Sequence, residues 1–166
     1  MRIRVRPAGR RDVNRILEIE AASFGPDAWE RELFLEALDE CSDLFFVAKL
    51  RGKLVGYSIT CMDRAKAELI SIGVMPEARR QRVGEALMRF TWRELMRRRI
   101  RTWRLVVRVE NEAAIRFYRG FGFKRLRTIK NYYGRGKDGW RMEARNCVAP
   151  THRLPESPQR NTKVRS

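Results

Sequence analysis

A β-prone run from Glu68 to Val74, a long amphipathic stretch from about Val83 to Arg98, and a second β-prone run from Trp103 to Val109 follow one another directly. This succession constrains the fold more than any other feature of the chain. A strand, a helix of about four turns and another strand bring the chain back to the end of the sheet where it started. The two strands then lie parallel, joined by a crossover. Within the stretch Val83, Leu87 and Phe90 lie on one face, and Met88, Trp92 and Leu95 widen it. Arg89, Arg93 and Arg97 recur every four residues on the polar side.

The rest of the chain can be read around that unit. Arg2 to Arg6 alternates charge with Ile3 and Val5, the pattern of a strand. Asp12 to Ala22 and Ala28 to Leu38 have helical spacing, separated by the breaker Phe24-Gly25-Pro26. Leu44 to Leu50 and Leu54 to Met62 are strands joined by the tight turn Arg51-Gly52-Lys53. Asn111 to Arg119 is a short helix, and Phe123 to Asn131 and Gly139 to Arg145 are the last strands. The order β-α-α-β-β-β-α-β-α-β-β predicts an α/β protein of the α+β type: a mixed, mostly antiparallel sheet of six to seven strands with about four helices. There is no internal repeat.

The length, 166 residues, suits one core. That domain is expected over residues 1–149. From Pro150 on, prolines and polar residues predict a basic, flexible tail over 150–166. No apolar run has the length a membrane span needs, and no apolar signal region follows the charged start, so a cytoplasmic protein without a membrane partner is expected. Cys41, Cys61 and Cys147 lie far apart and His152 is the only histidine, which argues against a metal site. The cysteines read as reduced small hydrophobes. The net charge of +17 favours anionic partners: phosphorylated cofactors, nucleic acid, the ribosome or anionic lipid. A solvated basic face is the plainer alternative, and both stay open. Monomer and dimer are equally compatible with the sequence.

Between the first strand of the crossover and its helix stands Pro76-Glu-Ala-Arg79-Arg80-Gln81-Arg82-Val83-Gly84-Glu85-Ala86. A turn opening a helix presents backbone N–H groups and the positive end of the helix dipole, an anion site. Gly84 allows close backbone approach, and Arg79, Arg80 and Arg82 add charged donors for phosphate. The segment lacks the Gly-Lys-Ser/Thr of a Walker loop and the GxGxxG of a dinucleotide site. An arginine-rich loop without a ligand is the competing reading.

The turn resembles the acetyl-CoA motif Arg/Gln-x-x-Gly-x-Gly/Ala of the GNAT acetyltransferase superfamily, with Arg79, Arg82 and Gly84 at its three signature positions. Arg82 departs from the family, standing where glycine is usual. A second stretch, Asn111 to Phe123, resembles the family's N-x-x-A-x-x-x-Y-x-x-x-G-F, with Asn111, Ala114, Tyr118, Gly122 and Phe123 in place. Taken singly, Asn111 could equally be a helix cap, Tyr118 a core aromatic and Gly122 a helix stop. Asn131 to Met142, with Tyr132 and Tyr133, resembles a loop of protein N-terminal acetyltransferases, and Ser23 to Trp29 a segment of the ribosomal-protein alanine N-acetyltransferases.

The resemblance implies a GNAT fold with a V-shaped splay between the central parallel strands. It implies acetyl-CoA as donor and no metal. The cofactor would lie along Ile72, Gly73 and Val74, on the turn from Arg79 to Ala86, and against Asn111 and Tyr118. Tyr118 would protonate the departing sulfur. Phe24, Trp29, Tyr132 and Tyr133 would line a groove for a peptide end; an aromatic surface cluster is the alternative. Related ribosomal enzymes carry a glutamate five residues before the motif asparagine, and here that position is Val106. Ala67-Glu68-Leu69-Ile70-Ser71-Ile72-Gly73-Val74 matches instead the strand with which histone acetyltransferases supply a base, which makes Glu68 the candidate. Glu68 also reads as a surface carboxylate at a strand start.

The expected activity is therefore N-acetylation of a protein N-terminus, with a ribosomal protein as one candidate. A small-molecule amine acetyltransferase is the alternative within the class. An RNA- or ribosome-binding module is the alternative outside it.

Overall fold

A computed structural model of the chain describes residues 2–145. The tail expected over 150–166, with Cys147 and His152, lies outside the described residues. Among those described, seven strands form one sheet: β1 (Ile3–Pro7), β2 (Phe45–Leu50), β3 (Lys53–Asp63), β4 (Lys66–Val74), β5 (Thr102–Arg108), β6 (Lys124–Ile129) and β7 (Gly139–Arg145). Four α-helices accompany them: α1 (Val13–Phe24), α2 (Arg31–Glu40), α3 (Val83–Arg97) and α4 (Glu112–Gly120). The strand order is β1-β2-β3-β4-β5-β7-β6, antiparallel except for the parallel pair β4–β5.

Each helix forms because one stripe of its sequence is apolar. α3 buries Val83, Leu87, Met88, Trp92 and Leu95. α4 buries Ala114, Ile115, Phe117 and Tyr118. These residues join Leu69, Ile72, Trp103, Leu105, Phe123 and Met142 in one core on one face of the sheet. On the other face α1 and α2 bring Val13, Ile16, Ile19, Phe34 and Leu38 onto Phe45, Val47, Tyr57 and Ile59. That second core stops short of β5, so β5, β7 and β6 carry no helix on this side.

β4 and β5 pair only from Lys66 to Glu68 against Thr102 to Arg104. Beyond Glu68 they part. β4 begins two residues before the predicted start, because Lys66 pairs with Asp63 across the hairpin from β3. Glu68 is therefore inside a strand, not at its start.

One expectation is overturned. Cys41 and Cys61, read as reduced thiols, form a disulfide, with 5.0 Å between their Cα atoms. Packing of α2 on the sheet carries the residue after the helix onto β3. Twenty residues of separation gave no hint of that proximity. No helix among the described residues is long and apolar enough to cross a membrane.

Candidate active site

The gap between β4 and β5 is framed by backbone. The N–H of Met75 bonds to the carbonyl of Val55, so Met75 faces β3. Backbone groups alternate sides along a strand, and those of Val74 and Ile72 therefore face the gap. The Ser23 hydroxyl donates to the Val74 carbonyl at 3.2 Å, which ties the end of α1 to the end of β4. Gly73 is needed here. A Cβ at that position would lie 2.7 Å from the Tyr57 ring.

Past β4 the chain turns into α3. The first N–H to close a helical bond is that of Ala86, onto the Arg82 carbonyl at 3.0 Å. The N–H groups of Val83, Gly84 and Glu85 precede it and are the donors a helix start leaves over. Arg80 and Arg82 both have φ of 64°, in the left-handed region. This backbone explains why glycine suits the position of Arg82: only glycine enters that region without steric cost. The Arg82 side chain is 59% exposed and points outward, 3.9 Å from Glu85. Glu85 turns its carboxylate onto Arg89 at 2.8 Å, leaving its backbone N–H at the helix start. Gln81 donates to the Glu77 carbonyl, and Arg79 is half-buried after the short turn Pro76–Ala78.

On the other side of the gap, Asn111 caps α4: its Oδ1 accepts the N–H of Ala114 at 3.2 Å. Tyr118 is fully buried, its ring edge-on to Phe117 and Phe123. Its phenol helps to keep those of Tyr57 and Tyr133 protonated. Burial pushes the Tyr57 and Tyr133 hydroxyls well above the usual phenol range, so both are neutral donors at pH 7.

Two loops stand at the mouth on the α1–α2 side. The loop after β6 is pinned by the Tyr133 hydroxyl, which donates to the Val106 carbonyl at 2.8 Å. Tyr132 packs edge-on against Tyr133. The loop between α1 and α2 is pinned by Glu20, a buried carboxylate the sequence reading passed over. It accepts the Trp29 N–H at 2.9 Å and the Tyr57 hydroxyl, which also lies 2.9 Å from Ser71 Oγ. Trp29 itself is only 8% exposed and packs on Phe34, while Phe24 is half-buried. The structure thus puts Phe24, Tyr132 and Tyr133 at the partly exposed surface and Trp29 behind it. Arg108, at the end of β5, links the two loops. Its guanidinium lies over the Tyr133 ring at 4.9 Å and 3.8 Å from Asp27.

Glu68 lies at the closed end of the gap. Its carboxylate is bound by Arg141 of β7, with Arg104 at 3.6 Å. It is thus apart from Tyr118, with both guanidinium groups on the same oxygen, Oε1. Glu20, Ser23, Tyr57, Arg108 and Arg141 were not singled out from sequence, because their roles arise from partners many positions away. Among the described residues no cluster of three or more His, Cys, Asp or Glu could hold a metal ion.

Comparisons with known proteins show what this fold is similar to. The profile of the Acetyltransferase (GNAT) family matches residues 13–123. An N-alpha-acetyltransferase of Sulfurisphaera tokodaii is 30% identical over 154 residues, covering 85% of this chain and 92% of that protein. The crystal structure of the ribosomal-protein-S18-alanine N-acetyltransferase from Escherichia coli superposes with a TM-score of 0.79 at 26% identity, covering 92% of this chain and 99% of that one. Ard1 from Thermoplasma volcanium superposes with a TM-score of 0.80 at 25% identity, covering 95% and 100%.

Proposed function

The chain belongs to the GNAT family and is an acetyl-CoA-dependent N-acetyltransferase, and from that premise we propose that its acceptor is the α-amine at the N-terminus of a protein. The observation that carries this reading is the pair of pinned loops at the mouth, tied across by Arg108. They form a narrow entrance with aromatic walls, suited to a chain end. The names of the Sulfurisphaera tokodaii and Escherichia coli proteins support the same acceptor. A ribosomal protein is one candidate within that class. We take residues 1–149 as the catalytic domain and 150–166 as an appended basic segment.

Acetyl-CoA supplies the activated acetyl thioester. The start of α3, from Arg79 to Ala86, is proposed to hold its phosphates through backbone N–H groups and arginines. Ile72 and Val74, with Gly73 between them, would lie along the extended arm, and a gap-facing N–H would serve the carbonyl oxygen. Asn111 would contribute through its amide while its Oδ1 caps α4. The amine nitrogen bonds to the carbonyl carbon and the carbon–sulfur bond breaks. Tyr118 gives its proton to the sulfur. A free α-amine has a pKa near 8, so its proton leaves with modest help. Glu68 is the proposed acceptor of that proton, through water. Phe24, Tyr132 and Tyr133 would hold the first residue, with Trp29 supporting the loop.

Turnover on a panel of short peptides and of free amines, including a polyamine, tests the acceptor. Acetylation of peptide α-amines is expected. Turnover confined to free small amines would overturn the reading and favour the small-molecule alternative.

A further inference from the structure

The half of the sheet that α1 and α2 leave open is charged. Register places Arg104, Arg141, Arg127, Lys124 and Glu143 on that face, together with Glu68. Arg127 of β6 stands directly opposite Arg141 of β7. Like charges directly opposite destabilise a strand pair. Arg141 is occupied by Glu68. Lys124 and Arg127 are exposed and form no ion pair among the described residues. From Lys124 to Arg145 eight residues are basic and two acidic, and Tyr132 and Tyr133 lie within that stretch.

The opposite wall of the mouth has the reverse charge. From Asp12 to Asp43 ten residues are acidic and two basic. Many of those carboxylates already have cations: Asp27 has Arg108, Asp39 has Arg10, Asp43 has Arg98 and Glu18 has Arg15. Glu30, Glu32, Glu36 and Glu40 are exposed and form no ion pair among the described residues, so that wall keeps negative charge, and the unmet positive charge, in a chain of net charge +17, lies on the β6–β7 face.

We infer that the acceptor is a protein whose first residues after the α-amine carry carboxylates, which the β6–β7 wall reads through Lys124 and Arg127. This rests on the reading that a protein α-amine is the acceptor. An extended residue spans about 3.3 Å, so the next few residues of an acceptor whose amine sits in the gap pass along this wall. A basic segment at the same place meets like charge and is disfavoured.

The test uses short peptides sharing their first two residues and carrying Glu, Ser or Lys at the following positions. At about 0.05 M salt, kcat/KM for the Glu series is expected to exceed that for the Lys series about tenfold, mostly through KM. At about 0.5 M salt the gap is expected to shrink to about twofold. The double variant Lys124→Glu, Arg127→Glu is expected to level or invert the order. Equal turnover of the three series, or a preference for Lys, overturns this inference and leaves N-terminal acetylation standing. No turnover on any peptide, with turnover on free amines, overturns both. Salt-steep RNA binding that the double variant abolishes, with a flat peptide order, assigns the wall to nucleic acid instead and also overturns the inference.

Discussion

Arg141 of β7 reaches across β5 and binds the carboxylate of Glu68 on β4. The pair spans three strands just where β4 and β5 begin to part. It therefore closes the base of the V as well as holding the proposed proton acceptor. The two roles separate experimentally. Glu68→Gln is expected to lower kcat about 100-fold with KM for acetyl-CoA unchanged. An unchanged kcat with a lowered Tm, matched by Arg141→Met, would assign the pair to sheet closure alone.

Tyr118 is fully buried and carries the proposed proton for the sulfur. Tyr118→Phe keeps the ring that packs on Phe117 and Phe123. Rapid-mixing kinetics should show a chemical step slowed about 100-fold, with acetyl-CoA affinity within about threefold of the parent. A normal chemical step would remove Tyr118 from the mechanism.

Arg82 holds a left-handed conformation that costs a non-glycine residue about 1–2 kcal/mol. Arg82→Gly relieves that cost, offset in part by the greater freedom of glycine when unfolded. A small rise in Tm is expected. Acetyl-CoA binding should become less salt-dependent, since one exposed guanidinium is lost near the phosphates. A clear fall in Tm would mean that the exposed Arg82–Glu85 pair outweighs the backbone cost.

Glu20 holds the loop between α1 and α2 through the Trp29 N–H, and holds Tyr57 beside the gap. Removing a buried acceptor leaves its donors unsatisfied, at about 1–3 kcal/mol. Glu20→Ala should lower Tm and raise KM for peptide acceptors more than KM for acetyl-CoA. Equal effects on both constants would show that the loop does not shape the acceptor side.

Alkaline pH should unfold the protein through two of these groups. Tyr57 and Tyr133 have folded pKa values raised above the ordinary 10.0 by burial. Their contribution to stability is complete below pH 10 and is lost as pH rises above it, because the unfolded chain ionises there first. The loss approaches about 1.4 kcal/mol per pH unit for each group. Tm measured from pH 8 upward should fall more steeply for the parent than for Tyr133→Phe. Parallel curves would mean that Tyr133 ionises freely when folded.

The elements and their order were legible because each depends on periodicity within one segment. The apolar stripe from Val83 to Leu95 predicts the crossover helix, and the two breakers at Gly25 and Pro26 predict the end of α1. The turn from Arg79 to Ala86 was legible for the same reason: a helix start is a local object. The observed φ of Arg82 even accounts for the departure from the family pattern. The disulfide was not legible, since it needs α2 to pack on β3. Trp29 fell within the helix expected over Ala28 to Leu38, but α2 begins at Arg31, and the burial of Trp29 depends on where Phe34 packs.

The sequence by itself determined a parallel crossover in a mostly antiparallel sheet, a helix start with free backbone donors and a tyrosine on the helix that follows β5. Local hydrogen bonding and side-chain spacing suffice for these. Only the tertiary structure decided which charges meet: Glu68 with Arg141, Glu20 with Trp29 and Tyr57, Asp27 with Arg108. Those pairs join residues between 9 and 81 positions apart. Coulomb and hydrogen-bond energies depend on distance in space, and the register of the sheet sets that distance.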